Sequence, residues 1–232
     1  MLIDYPTFQQ RAGEIQRRIS EVCRAAGRQP GEVVLMPVTK NHPAAAVEFA
    51  VQYGLTRVGE NRVQEAVEKR ALTKATADWE LIGHLQSNKA KLAVAHFERV
   101  QSVDSEKLLS ALDRAAADQN KILAVLLQIN AGNDPAKFGV EPSEASRLLG
   151  TAMSKTHIKV EGLMTIAPLS EDPSVAQRTF ANLRSIRDRL ATEAGLPLRE
   201  LSMGMSGDLE AAITEGSTLV RIGTALYGAR SG

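Results

Sequence analysis

Short strand-like runs, most of them apolar, alternate along the chain with longer segments whose apolar residues recur every three or four positions. The runs lie at residues 33–39, 57–60, 79–84, 100–104, 122–130, 160–167, 201–205 and 219–223. The first, Val33-Val34-Leu35-Met36-Pro37-Val38-Thr39, is nearly unbroken, as a parallel strand buried on both faces should be. Pro37 fits it poorly, because proline donates no ladder hydrogen bond. Helical spacing predicts helices over 43–52, 62–72, 106–117, 144–153, 175–194 and 209–214. Another helix precedes the first strand, with Thr7 as its cap, Ile15, Ile19, Val22 and Cys23 on one face, and Gly27 at its end.

Strands alternating with helices imply a parallel sheet wrapped by helices. Eight such units in about 200 residues stand at the low end for a closed (β/α)8 barrel. An open, doubly wound sheet competes with it. No Gly-x-Gly-x-x-Gly follows the first strand, and the amino-terminal helix could cover the bottom of a barrel. The expectation is therefore an α/β chain, a single (β/α)8 TIM barrel with an extra N-terminal helix, forming one domain over residues 1–232. No internal repeat or Pro/Gly/Ser-rich linker divides it.

Charge and cysteine usage narrow the classes. Lys and Arg number 28 against 27 Asp and Glu, a formal charge of +1, which is not the balance of a polybasic nucleic-acid binder. Cys23 is alone and cannot form an internal disulfide, and His42, His84, His96 and His157 lack ligand spacing, so no metal site is expected. The longest apolar stretch, residues 122–127, is far shorter than the roughly 20 residues of a membrane span. The amino terminus lacks the pattern of a secretory signal, and a cytoplasmic location is expected.

In α/β architectures ligands meet the carboxyl ends of strands, which turns the list of runs into a list of candidates. Lys40 ends the first run, Glu60 and Asn61 the second, and His84 the third. Asn130 ends the fifth, Met164 and Thr165 lie late in the sixth, Ser202 to Ser206 end the seventh, and Arg221, Gly223 and Thr224 end the eighth. An amine after an apolar run is partly desolvated and nucleophilic toward aldehydes, although a solvated lysine opening a loop reads the same way. Ser202-Met203-Gly204-Met205-Ser206-Gly207-Asp208 and Arg221-Ile222-Gly223-Thr224 offer backbone N–H groups and hydroxyls to an anion; the alternative is a helix capped by Ser206 or Asp208. Arg221, between Val220 and Ile222, must meet an acceptor, either a structural carboxylate or a ligand atom. Met203 and Met205 read as core packing as readily as ligand contacts.

Taken together, the motifs Pro37-Val38-Thr39-Lys40, Val58-Gly59-Glu60-Asn61-Arg62-Val63-Gln64-Glu65, Leu81-Ile82-Gly83-His84-Leu85-Gln86-Ser87-Asn88-Lys89, Gln101-Ser102-Val103-Asp104-Ser105, Gly162-Leu163-Met164-Thr165-Ile166, Leu201-Ser202-Met203-Gly204-Met205-Ser206 and Val220-Arg221-Ile222-Gly223-Thr224 span residues 37 to 224. In this the chain resembles the YggS/PROSC family of pyridoxal 5′-phosphate homeostasis proteins, built on the barrel of fold-type III pyridoxal phosphate proteins such as the amino-terminal domain of alanine racemase. Thr39 departs from the more usual serine, and Phe138 in Ala136-Lys137-Phe138-Gly139 is bulky where the family often has a small residue.

The resemblance implies pyridoxal 5′-phosphate as cofactor, a Schiff base on Lys40, Asn61 near the cofactor ring, Ser202, Gly223 and Thr224 at its phosphate, Arg221 at the pyridine nitrogen, and His84 and Met203 lining the site. It implies a carrier or regulator of the cofactor that passes it to apo-enzymes, monomeric and without robust turnover. A racemase of this fold would call for a carboxy-terminal domain with a second base, and the sequence ends at Gly232. A fold-type III racemase with weak activity and a cofactor-free Schiff-base aldolase are the competing functions.

Overall fold

A computed structural model describes residues 2–228; Met1 and residues 229–232, the ends of the expected 1–232 domain, lie outside it. The described residues form eight strands, β1 (Val34–Pro37), β2 (Arg57–Glu60), β3 (Asp78–Leu81), β4 (Arg99–Val103), β5 (Leu123–Gln128), β6 (Ile158–Met164), β7 (Glu200–Ser202) and β8 (Leu219–Ile222). They pair in parallel in the order β1-β8-β7-β6-β5-β4-β3-β2, and a bridge from Val38 to Gly59 brings β1 back to β2. Connecting them are α2 (Ala45–Gln52), α3 (Val63–Leu72), α4 (Ala90–His96), α5 (Glu106–Ala117), α6 (Ala145–Met153), α7 (Pro173–Ala194) and α8 (Leu209–Thr214), with α9 (Thr224–Tyr227) after β8. This is the (β/α)8 barrel that the alternation predicts. The sequence pattern did not announce α4, which is seven residues long without a side-chain cap, or α9, a single turn.

Pro37 finds its reason at the closing seam. Val34 and Val38 donate to Thr218 and Ile222 on the β8 side (2.8 Å each), whereas Thr39 donates to Gly59 on the β2 side (3.0 Å). Backbone alternation therefore points the nitrogen of Pro37 at β2, along a seam with only one bridge. The predicted runs 79–84, 122–130, 160–167 and 201–205 overshoot the ladders, which end at Leu81, Gln128, Met164 and Ser202. Their last residues belong instead to the rim above the strands.

The amino-terminal helix α1 (Tyr5–Ala25) differs from expectation in two ways. Its cap is Asp4, not Thr7: the Asp4 carboxylate accepts the Thr7 N–H at 3.0 Å, and Pro6 occupies the first turn. It also does not cover the bottom of the barrel. Its apolar stripe, Phe8, Ala12, Ile15, Ile19 and Cys23, is buried against the helical layer, where α1 packs on α8, α9 and α2. Phe8 lies 5.1 Å from the ring of Tyr227, centroid to centroid. With α9 reduced to one turn, α1 supplies the apolar cover that a full eighth helix would.

Strand alternation divides the burial. Leu35, Trp79, Leu81, Val100, Leu201, Val220 and Ile222 face outward into the large core shared with the helices. Inside the barrel the apolar content shrinks to a small cluster of Met36, Val38, Ile82 and Leu219, with the fully buried Leu126 and Met164 alternating inward on β5 and β6. Buried polar residues Glu80, Arg99, Gln101, Ser202 and Arg221 share that interior. Arg99 holds Glu80 through Nε (2.8 Å) and NH2 (3.0 Å), and its NH1 reaches Glu161 and Glu200 at 3.2 Å each. A bulge makes the Glu161 contact: β5 pairs Val125 with Val160 but Leu126 with Gly162, leaving Glu161 as the extra residue.

Gly162 is required by the close passage of β7, since a Cβ there would lie 1.9 Å from the Glu200 carbonyl oxygen. Gly162→Ala is accordingly expected to lower the unfolding free energy by about 3 kcal/mol in urea titrations followed by circular dichroism. Gly150→Ala, on α6 with open space around its Cβ, should instead raise it by about 0.5–1 kcal/mol. Equal effects of the two would refute the packing assigned to β6 and β7.

Candidate functional site

A cavity of about 420 Å³ opens at the carboxyl ends of the strands. Lys40 enters it from the loop after β1, Asn61 after β2, His84 after β3, Ser206 and Gly207 after β7, and Arg221, Gly223 and Thr224 from the end of β8. Ile82, Gln128, Phe138, Ile166 and Met205 complete much of the wall. Six of the eight residues expected from the sequence thus meet in one place. Ser202 and Met203 do not line it.

The position of Lys40 is set by its neighbours on both sides. Thr39 is fully buried; its hydroxyl donates to Glu60 Oε1 at 2.6 Å and its carbonyl accepts from Lys69 Nζ at 2.6 Å. On the other side the Asn41 N–H donates to Glu65 Oε1 at 2.5 Å, with Asn41 in the left-handed region at φ 61. Lys69 joins the two halves, donating to Glu60 and Glu65 at 2.7 Å each. Its three N–H donors therefore match three acceptors. Burial raises the Glu60 carboxyl above its ordinary value, with Lys69 and Thr39 pulling the other way. Glu65 is partly desolvated too, yet hydrogen bonds from Lys69 and Asn41 hold it below the usual carboxylate range.

The third strand end depends on a close approach. A Cβ on Gly83 would lie 2.2 Å from the Asn61 carbonyl oxygen, so only glycine lets the loop carrying His84 pass the loop carrying Asn61. Ser102 Oγ donates to the Gly83 carbonyl at 2.6 Å and holds that passage. His84 Nδ1 stands 3.4 Å from Asp104 Oδ2, and its ring stacks on Phe138, with centroids 4.0 Å apart and planes 11° from parallel. The Phe138 loop is tied down by Gln128 Nε2, which donates to the Phe138 carbonyl at 3.0 Å. Phe138, bulky where the family often has a small residue, therefore makes one side of the mouth.

Arg221 is 4% exposed, and no carboxylate lies within 4.0 Å of it among the described residues. NH1 donates to Ser202 Oγ at 2.6 Å and NH2 to the Thr165 carbonyl at 2.8 Å. Burial pulls its pKa down to about 10, against the field of Asp208, so the guanidinium is still charged at neutral pH. Of the two partners its sequence position allowed, the structural carboxylate is absent, and the side chain faces the cavity. Asp208 does not cap α8 through its side chain; its carboxylate turns back to the Met205 N–H at 2.5 Å. That leaves the segment from Met205 to Gly207 as a bent loop at the rim.

The two residues outside the cavity are buried for different reasons. Ser202 points inward beneath Arg221, its hydroxyl donating to Gln101 Oε1 at 2.6 Å. Met203 is the next residue along and so faces outward, fully buried in the core with the helices. Ser206, past the ladder, is the hydroxyl of this motif that reaches the cavity. The period of two, applied to Ser202 and Met203, carries that distinction. Gln101 was not marked by position, because it lies mid-strand, and Phe138 was marked only as a departure from the family.

This barrel belongs to a known class: the family described as alanine racemase, N-terminal domain, matches residues 11–231. A pyridoxal phosphate homeostasis protein from Aquifex aeolicus is 38% identical over 222 residues, covering 95% of this chain and 97% of its own. One from Pseudomonas aeruginosa is 40% identical over 225 residues, covering 97% and 96%. The chain belongs to the pyridoxal phosphate homeostasis protein family. Among solved structures, PipY of Synechococcus elongatus with pyridoxal phosphate bound superimposes with a TM-score of 0.80 at 39% identity, covering 90% of this chain and all of that one.

The clamp around Lys40 yields a pH-dependent expectation. Removing the cation in Lys69→Met leaves Glu60 buried beside no positive charge, which should destabilise the fold by about 3–5 kcal/mol at pH 8. Glu60 is already raised by burial, and without Lys69 it is raised further. Below that value it is neutral and easily buried, so the loss should shrink at pH 5 and deepen as pH rises. Urea titrations at both pH values measure this; a loss independent of pH would remove Glu60 from the account.

Proposed function

We propose that this chain binds pyridoxal 5′-phosphate in the barrel mouth and takes part in intracellular homeostasis of that cofactor, holding it reversibly through Lys40. The observation that carries the reading is Arg221: a buried guanidinium, facing the cavity, with hydrogen-bond partners but no carboxylate. The donor set fits the group. Lys40 would offer an amine to an aldehyde, Gly223, Thr224, Ser206 and Gly207 would offer backbone N–H groups and hydroxyls to a phosphate, and Asn61, which lines the same cavity, would hold the ring. The PLP-bound PipY structure and the names of the relatives support the same ligand.

When bound, the cofactor supplies an aldehyde and an electron-accepting ring. This chain's residues then decide how much of that chemistry is used. Arg221 would donate a hydrogen bond to the ring nitrogen and keep its own proton, so that the ring would stay neutral and accept electrons weakly. The Thr39–Glu60–Lys69 clamp holds the Lys40 backbone, and the His84–Phe138 stack bounds one side of the opening. Holding and releasing the cofactor fits this arrangement better than repeated amino-acid turnover. Delivery to apo-enzymes, a cytoplasmic setting and a monomeric state belong to the same proposal. Among the described residues no helix is long and apolar enough to cross a membrane.

The test is spectroscopic. Purified protein with pyridoxal phosphate should show a visible absorption band that Lys40→Ala lacks, and borohydride trapping followed by peptide mapping should place the adduct on Lys40. A label on Lys74, Lys89 or Lys137 would overturn the assignment. Incubation with a panel of L-amino acids should produce no appreciable D-isomers; Lys40-dependent turnover would favour the racemase reading.

A further inference from the structure

The interior polar residues form one hydrogen-bonded line whose direction is set at both ends. Arg221 can only donate, so Ser202 Oγ accepts from it (2.6 Å) and must use its single proton on Gln101 Oε1 (2.6 Å). Gln101 then turns its Nε2 to Glu80 Oε2 at 2.5 Å, and the Glu80 carboxylate can only accept. Arg99 closes the line by holding both Glu80 oxygens. Glu80, Gln101, Ser202 and Arg221 are all nearly or fully buried, so no bulk water substitutes for a lost member.

We infer that Gln101 is a positioning residue: through the Ser202 hydroxyl it fixes the orientation of the Arg221 guanidinium and links that cation to the Glu80 carboxylate on the barrel axis. A glutamine is the residue type the place requires. Its amide presents an acceptor to a hydroxyl and a donor to a carboxylate at once, so it relays polarity between an anion and a cation that never meet. It also accounts for Ser202 lying beneath the cavity with its hydroxyl fully engaged. The bearing on the cofactor rests on the reading proposed above, in which Arg221 meets the ring nitrogen.

Gln101→Met keeps the length and volume of the side chain and removes its hydrogen bonds with Ser202 and Glu80, together with the longer contact of Nε2 to Met36 Sδ at 3.8 Å. In the chain without added cofactor, the guanidinium proton signals of Arg221, assigned by their loss in Arg221→Lys, should exchange with solvent about tenfold faster in Gln101→Met than in the wild type. Pyridoxal phosphate should bind about tenfold more weakly and its visible band should shift. Ser202→Ala should have the same effects, and the double variant should add little, because the two residues act as one connection. Leu112→Ala, in the outer core on α5, serves as the control. It should lower thermal stability without moving either the exchange rate or the band. Unchanged Arg221 exchange in Gln101→Met, or equal acceleration in Leu112→Ala, would overturn the positioning role. A wild-type chain that takes up no pyridoxal phosphate would instead sink the proposed function, while the exchange measurement still decides the role of Gln101.

Discussion

A guanidinium buried on the barrel axis without a carboxylate beside it is the constraint around which the interior is arranged. A cation removed from water needs acceptors, and Arg221 receives a hydroxyl and a carbonyl. The hydroxyl needs an acceptor in turn, and so the polar column continues through Gln101 to Glu80 and Arg99. Barrel interiors of this fold are ordinarily filled by layers of branched apolar residues. Here Met36, Val38, Ile82, Leu126, Met164 and Leu219 fill part of the space, and buried polar residues share the rest. The apolar stabilisation comes from outside the sheet, where the strands meet the helices and α1 closes the wall.

The same economy governs the rim. Lys40 lies on a loop, where a long side chain would ordinarily wander, yet the residues on either side of it are held by one buried amine and two carboxylates. Lys69 is on α3 and Glu60 ends β2, so the second β/α unit positions the lysine of the first. Gly83 brings the third unit into contact with the second by dispensing with a side chain. The first three units of the barrel thus each supply a residue to the mouth, and the second and third also fix a neighbour. A cation paired to no carboxylate and a lysine whose backbone is held on both sides thus face one cavity.

Much of this was legible in the residue order. Eight runs, six of them followed by a predicted helix, point to a parallel barrel because strand and helix periods differ and each buries a definable face. The rule that ligands meet strand carboxyl ends then brought Lys40, Asn61, His84, Arg221, Gly223 and Thr224 to one cavity. These are local properties, set by a residue's distance from the end of its own strand. What distance along the chain could not rank was the partner of each side chain: whether Arg221 met a carboxylate, whether Ser202 or Ser206 reached the cavity, or which side of β1 lost its donor at Pro37. Those outcomes depend on the stagger between strands far apart in sequence, as in the contact between Ser202 and Gln101, 101 positions apart. The sequence by itself determined six of the residues that stand at the mouth; only the tertiary structure decided which others join them and which are tied to one another, because contacts across a barrel are fixed by register and closure.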